Sequence, residues 1–160
     1  MQRAILLVAG LVALCGAAQA QQEDAPRYSA AATAGQPLCT LRIHVTGFRN
    51  NKGDAGGTVF ASANGWPEQN SKSVVHGPFP IANQQATEEF HLPAGKYAVA
   101  VIHDENMNHK LDRNFLGIPK EGFGFANNPK VGLSAPSFET AVTQVSCPVT
   151  EIEIRLIYKF

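Results

Sequence analysis

The feature that most constrains the fold of this chain is a two-residue alternation of apolar and polar side chains in several separate segments. Leu41, Ile43 and Val45 alternate with polar neighbours. Near the C-terminus, Ile152, Ile154, Leu156, Tyr158 and Phe160 alternate with Glu151, Glu153, Arg155 and Lys159. A period of two places side chains on opposite faces of an extended strand, whereas a helix needs a period near 3.6. Residues 58–63 and 86–92 show the same pattern over shorter lengths. These segments therefore predict half-buried strands.

A denser apolar run at residues 97–102 predicts a central strand that is buried on both faces. Residues 74–75 fit a short edge strand, and residues 138–145 fit a sixth strand before the last one. The tight connection at residues 93–96 predicts a hairpin that joins 86–92 to the central strand. With six or seven strands and no helix beyond the first twenty residues, the sequence predicts an all-β, two-sheet sandwich.

The first twenty residues have the features of a bacterial export signal. Arg3 supplies a positive start, residues 4–13 are apolar, and Ala18 and Ala20 form a small-x-small cleavage site. The apolar part is shorter than the roughly twenty residues that span a bilayer. We therefore expect cleavage after Ala20, a periplasmic or secreted protein, and no transmembrane segment in the mature chain. Residues 21–37 predict a flexible linker, and residues 38–160 predict one domain.

Charge and cysteine content narrow the function classes. The chain has 13 basic and 13 acidic side chains, which gives no reason to expect nucleic acid or an acidic membrane surface as a partner. Cys15 is removed with the signal, leaving Cys39 and Cys147. An even number of cysteines in an exported chain predicts one disulfide, with two buried free thiols as the alternative.

The chemical signal of the chain follows the central strand. Asp104, Asn106, Asn108 and Asp112 occupy positions 1, 3, 5 and 9 of a nine-residue loop. Oxygen-bearing side chains at alternate positions of a tight loop are typical of calcium sites, and Lys110 would add its backbone carbonyl. The pattern predicts calcium as a cofactor. The alternative is that Asp and Asn side chains merely cap the turns of this loop.

A long loop predicted at 104–135 has no strand pattern after residue 113, and ordered loops of this length are usually functional. Phe115, Phe123 and Phe125 are candidates for a stacking surface for a ligand such as a sugar, or else they anchor the loop to the sandwich. Either Glu121 or Glu105 would supply a further carboxylate to the cation loop if the segment folds back.

No catalytic motif is present in the sequence. The chain lacks a nucleophile elbow, a phosphate-cradling loop and a histidine–glutamate metal motif, so we expect no enzymatic activity. His103 and His109 flank the cation loop, but a transition-metal site needs three or four converging ligands. We therefore expect both to be exposed loop histidines.

Two long segments carry a resemblance to a known family. Residues 92–106, read as Leu-Pro-Ala-Gly-Lys-Tyr followed by the central strand and His-Asp-Glu-Asn, and residues 116–125 resemble the bacterial exported family called domain of unknown function 2141. Residues 137–141 and the closing Ile-x-Ile-x-Leu strand also match. The resemblance covers residues 38–160 and implies an immunoglobulin-like or transthyretin-like sandwich. It also implies glycine at the sixth loop position, where this chain has His109.

Together these features predict an exported, non-catalytic β-sandwich module with calcium in the 104–112 loop and an envelope-associated binding or structural role. An envelope protein or a glycan is the expected partner. The alternative is a binding protein for a sugar or peptide that uses the aromatic loop at residues 113–125. The two differ in whether Phe115, Phe123 and Phe125 are exposed around a concavity.

Overall fold

A computed structural model describes residues 28–29, 36–132 and 134–159 of the chain. The signal predicted for residues 1–20, most of the linker predicted for 21–37, and Phe160 lie outside the described residues. The strands are β1 Tyr28–Ser29, β2 Leu38–Thr46, β3 Asp54–Phe60, β4 Val75–Phe79, β5 Ala86–Pro93, β6 Gly95–Asp104, β7 Phe123–Phe125, β8 Val142–Val145 and β9 Val149–Arg155. Short 3-10 turns occupy Asn70–Lys72 and Phe138–Ala141.

The strands form two sheets. The first sheet has the order β1-β5-β2-β9, and the second has the order β4-β3-β6-β7 with β8 also paired to β6. β2 runs antiparallel to β5 but parallel to β9, whereas β6 is antiparallel to β3, β7 and β8. The predicted all-β, two-sheet architecture is confirmed.

The main core lies between the two sheets. Leu41, Ile43 and Val45 of β2 are fully buried there, as their alternation predicts, and Val99 and Val101 of β6 face them from the second sheet. The outer face of β6 carries a second, smaller cluster that consists of Ala98, Ala100, Phe123, Phe125 and Ala141. The prediction that the central strand is buried on both faces is therefore confirmed.

The hairpin predicted at residues 93–96 is wrong, because β5 belongs to the first sheet and β6 to the second. The two strands face each other across the core rather than pairing side by side. Phe90 and Leu92 of β5 and Val99 of β6 are fully buried in the same cluster, which this arrangement makes possible. The Tyr97 hydroxyl fastens the connection by donating to the Pro93 carbonyl at 3.0 Å.

Three strand boundaries also differ from the sequence prediction. β3 spans Asp54–Phe60 rather than the predicted 58–63, so Gly56 and Gly57 are strand residues. The predicted strandless stretch contains β7, whose three residues are too few to show a period of two. The sixth predicted strand begins with the 3-10 turn Phe138–Ala141, and only Val142–Val145 is extended.

The last strand leaves one sheet and reaches the other. β9 ends at Arg155, but Ile157 exchanges backbone hydrogen bonds with Phe123 at 3.0 and 2.9 Å. Ile154 and Leu156 remain buried, as the alternation predicts. This C-terminal segment therefore ties β7 of the second sheet to the first sheet.

A disulfide joins Cys39 in β2 to Cys147, which immediately precedes the β9 region. Their Cα atoms are 4.6 Å apart, which lies within the range that the bond requires. The predicted pairing is confirmed. Among the described residues, no helix is both long enough and apolar enough to cross a membrane.

Candidate functional site

The cation loop begins where β6 ends. Asp104 is the last residue of β6, and its partner across the sheet is Asp54, the first residue of β3. Gly53 precedes that pair with φ at +68°, and a Cβ atom placed there would lie 1.9 Å from the Asp104 carbonyl oxygen. Only glycine permits this close backbone approach, so Gly53 fixes where the loop starts.

The side chain of Asp104 organises the first half of the loop. It is 1% exposed, and its two oxygens accept hydrogen bonds from the backbone N–H groups of Asn108 and His109 at 3.0 and 2.6 Å. Asn108 in turn accepts from the backbone N–H of Lys110 at 2.9 Å. His109 has φ at +61°, the conformation for which calcium loops commonly use glycine at this position.

Asp112 closes the loop. Its two carboxylate oxygens accept hydrogen bonds from the Nδ2 atoms of Asn106 and Asn108 at 2.9 and 3.0 Å. The structure therefore brings Asp104, Asn106, Asn108 and Asp112 into one hydrogen-bonded cluster. These bonds are also those that the turn-capping alternative would make.

Glu121 folds back onto the loop from the far end of the long segment. It is 4% exposed, and its oxygens accept from the backbone N–H groups of Glu105 at 3.0 Å and Asp112 at 2.9 Å. Burial raises the pKa of this carboxyl group, the two backbone hydrogen bonds oppose that effect, and the charges of Asp112 and Asp104 add to it. Glu121 therefore clamps both ends of the loop as a further buried carboxylate.

Glu105 points to a different partner. Its carboxylate accepts from Nε and Nη2 of Arg49 at 2.5 and 2.8 Å and from Asn50 at 3.1 Å. The hydrogen bond with Arg49 is the main reason that the pKa of Glu105 falls to about 2. Of the two carboxylates considered from sequence, Glu121 is the one that joins the loop.

Asp54 is a member of the cluster that the sequence analysis missed. Its Oδ1 atom is buried and has no hydrogen-bond partner. Burial raises the pKa of Asp54, and the nearby charge of Asp104 raises it further. One usable signal was available, because an aspartate that follows a turn glycine and starts a strand next to β6 lies at the loop entrance.

The cluster lacks a compensating cation. Among the described residues, no lysine or arginine lies within 4.0 Å of a carboxylate oxygen of Asp54, Asp104, Asp112 or Glu121. The closest approach is Nδ1 of His109, 3.8 Å from Asp104. Across all the described residues, no three side chains of histidine, cysteine, aspartate or glutamate lie together as a set of metal ligands.

The two histidines have different environments. His109 is exposed as predicted, but His103 is fully buried, so that part of the prediction is wrong. The reason is that β6 extends through Asp104 and places His103 inside the fold. Nε2 of His103 lies 2.8 Å from the Lys52 carbonyl and therefore donates to it, while Nδ1 contacts the Tyr158 hydroxyl at 2.7 Å. Both ring nitrogens are thus engaged in structural contacts.

The three candidate aromatic residues are not brought together. Phe115 is 95% exposed at a turn closed by the bridge between Arg113 and Pro119. Phe123 and Phe125 are buried in β7, where they also line a concavity of about 790 Å³ on the outer face of the second sheet. Sequence reasoning missed the concavity. Gly56 was the available signal, because a strand glycine leaves the sheet face bare.

Replacing His109 by glycine is expected to raise the free energy of unfolding by up to about 1.6 kcal/mol. The left-handed conformation costs a residue with a Cβ atom about 1–2 kcal/mol, and the extra freedom of glycine in the unfolded chain offsets about 0.4–1 kcal/mol of the gain. Lys110→Gly is the control, because Lys110 does not have a positive φ. Urea denaturation should show that the Lys110→Gly variant has a free energy of unfolding about 0.5–1 kcal/mol below that of the wild type. A His109→Gly variant that is less stable than Lys110→Gly would contradict this account.

Comparison with other proteins gives one informative result. Neither the curated proteins nor the solved structures contain a match to this chain. A family model described as an uncharacterised protein conserved in bacteria, DUF2141, matches residues 43–153, which include β3 to β8, the cation loop and Glu121. The chain therefore belongs to the DUF2141 family of bacterial proteins.

Proposed function

We propose that this chain is an exported, non-catalytic β-sandwich module of the bacterial cell envelope whose 104–112 loop binds a calcium ion. The observation that carries the proposal is that Asp54, Asp104 and Glu121, at or near the ends of the loop, have no lysine or arginine within 4.0 Å among the described residues. Asp104 and Glu121 are almost completely buried, and Asp54 has a buried oxygen that makes no hydrogen bond. Burying negative charge without compensation is costly, and a hard divalent cation with oxygen ligands removes that cost.

The oxygen atoms needed for calcium are available in the loop. An ionised carboxylate accepts about four hydrogen bonds, so Asp104 retains lone pairs beyond the two that accept backbone N–H groups. Asn106 and Asn108 now direct their Nδ2 atoms at Asp112. A half-turn of each side-chain amide would present its oxygen to a cation that replaces those N–H groups as the partner of Asp112. The rotation would break the hydrogen bonds that the Oδ1 atoms of Asn106 and Asn108 now accept from the backbone N–H groups of Asn108 and Lys110, and coordination of the ion would have to outweigh that loss. The Lys110 carbonyl is the fifth ligand in this proposal.

Glu121 connects cation binding to the rest of the long segment. Its carboxylate holds the backbone of Glu105 and Asp112, and β7 begins at Phe123, close after it in the chain. An ion that fixes Asp112 would therefore also restrain the segment from residue 104 to 125. This is the structural role that we assign to the cation.

Export and an envelope role are supported by two further features. The first twenty residues have the composition of a cleaved signal, and a disulfide between Cys39 and Cys147 is typical of oxidising compartments such as the periplasm. The alternative function, a sugar or peptide held on an exposed platform of all three aromatic residues, is disfavoured because only Phe115 is exposed. Phe115 stands apart from the buried pair Phe123 and Phe125.

Calcium at millimolar concentration is expected to raise the melting temperature of the mature domain. An ion that binds only the folded state stabilises it by about 1.4 kcal/mol at ten times its dissociation constant. Extracellular modules bind calcium with constants of about 10⁻⁴–10⁻³ M. Thermal melts in calcium, in magnesium and in chelator, together with titration calorimetry, measure the effect.

Asp112→Asn and Glu121→Gln are expected to weaken the calcium response, because each removes one negative charge while preserving the shape of the side chain. Glu139→Gln is the matched control, since Glu139 is exposed and lies outside the cluster. If the wild-type melt is the same in 10 mM calcium as in chelator and no heat of binding is measured, the loop is a capped turn and the proposal fails.

A further inference from the structure

The concavity on the outer face of the second sheet has the size of a small-molecule site. Its volume of about 790 Å³ falls within the range of roughly 300–1,000 Å³ that is usual for ligand pockets. Ala100, Ile102, Phe123 and Phe125 form an apolar floor, and Leu111 and Val131 add apolar side walls. This surface favours the apolar body of a ligand.

The charges around this floor are mostly positive. Lys110, Arg113 and Lys159 line the concavity together with the carboxylates of Glu68 and Asp104. Glu68 forms an ion pair with Arg113, whereas Asp104 accepts two backbone N–H groups and keeps its negative charge. The two lysines are left without an acidic partner within 4.0 Å among the described residues.

Lys159 is the more informative of the two lysines. Its side chain is partly buried, and its ammonium group donates to the Val131 carbonyl at 2.8 Å. A single neutral carbonyl uses one of the three donors of an ammonium group. Among the described residues, no acidic group lies within 4.0 Å of this ammonium group. An anion would therefore give it a charge-assisted hydrogen bond, which is about twice as strong as a neutral one.

We infer that this concavity binds an amphipathic organic anion, a molecule with an apolar body and one carboxylate group. The apolar body would lie on Ile102, Phe123 and Phe125, and the carboxylate would accept hydrogen bonds from Lys159. The floor and Lys159 belong to β6, β7 and the C-terminal segment, whereas Asp104, Lys110 and Leu111 of the 104–112 loop line one side of the concavity. Binding is therefore measured both with and without calcium.

The test uses decanoate as the anionic probe and decanol as its neutral counterpart, both below the concentrations at which they aggregate. Trp66 is the single tryptophan of the chain, and its ring centroid is 5.6 Å from that of Phe125 in the floor. Its fluorescence therefore reports on the site, and titration calorimetry provides a second measurement. We expect decanoate to bind saturably and at least about tenfold more tightly than decanol, equivalent to about 1.4 kcal/mol.

Lys159→Met keeps most of the apolar stem and removes the charge, so it should bring the affinities for decanoate and decanol to within about twofold of each other. Lys120→Met is the matched control, because Lys120 is exposed and does not line the concavity. It should retain the tenfold preference. Ala100→Leu narrows the floor and should weaken both probes together.

Two results would overturn the inference. One is equal binding of decanoate and decanol by the wild-type protein, and the other is the absence of saturable decanoate binding in both fluorescence and calorimetry. The titrations are run both in chelator and in calcium, so that a failure of decanoate binding can be told apart from a failure of calcium binding. Preference for decanoate in chelator supports the site even if the loop binds no ion.

Discussion

Reducing the disulfide between Cys39 and Cys147 is expected to lower the free energy of unfolding by up to about 4–5 kcal/mol. The two cysteines are separated by 108 positions in the sequence, so the bond closes a loop of nearly the whole domain. In the chain-entropy account, a loop of about 100 residues contributes close to 4.7 kcal/mol by restricting the unfolded chain. The total free energy of unfolding of a native domain is only about 5–15 kcal/mol.

Urea denaturation of the oxidised and reduced mature domain measures this effect, and the Cys39→Ala, Cys147→Ala double variant serves as the control for incomplete reduction. The reduced protein and the double variant should share a midpoint that lies well below that of the oxidised protein. Because Cys39 is fully buried, the double variant also reports any packing lost with the sulfur atoms. Coincident midpoints for all three proteins would contradict the prediction.

Gly53→Ala is expected to destabilise the domain by roughly 2–5 kcal/mol. The new Cβ atom would lie 1.9 Å from the Asp104 carbonyl oxygen. The backbone fixes the position of a Cβ atom, and the oxygen belongs to the backbone, so neither atom can rotate away. Forcing an atom into a packed site costs about 1–3 kcal/mol, and the left-handed conformation adds about 1–2 kcal/mol. The strands β3 and β6 would have to separate at the Asp54 and Asp104 pair, where the loop begins.

Gly117→Ala provides a matched comparison, because Gly117 also has a positive φ, at +77°, but nothing lies within 4 Å of a Cβ atom there. It should cost only about 1 kcal/mol, since the cost of the left-handed conformation remains and the steric overlap is absent. The difference between the two variants in chemical denaturation isolates the close approach at Gly53. Equal losses would show that the backbone at Asp104 yields easily.

The parts of the fold that follow from local pattern were predicted well. The alternation at Leu41, Ile43 and Val45 identified the buried face of β2, and the dense run at residues 97–102 identified a strand with two buried faces. The disulfide followed from counting cysteines. Each of these features depends on short-range periodicity or on residue type, which a single sequence displays directly.

The parts that failed depend on contacts between distant residues. Glu121 rather than Glu105 joins the cation loop because Arg49, which lies far earlier in the chain, forms an ion pair with Glu105. His103 is buried because it contacts Lys52, which lies about fifty residues before it in the chain, and Tyr158, which lies about as far after it. The hairpin predicted at residues 93–96 failed because a tight connection fixes a change of direction, while the packing of Phe90 against the shared core decides which sheet each strand joins.

The parallel pairing of β2 with β9 has a consequence for the order in which the chain folds. β2 is an interior strand of the first sheet, and its neighbour on one side is β9, the last strand of the chain. Contacts between distant segments form only after the entropy of closing the intervening chain has been overcome, which makes them late and slow. During synthesis from the N-terminus, β2 would therefore lack one of its neighbours until β3 to β8 and then β9 itself had been made.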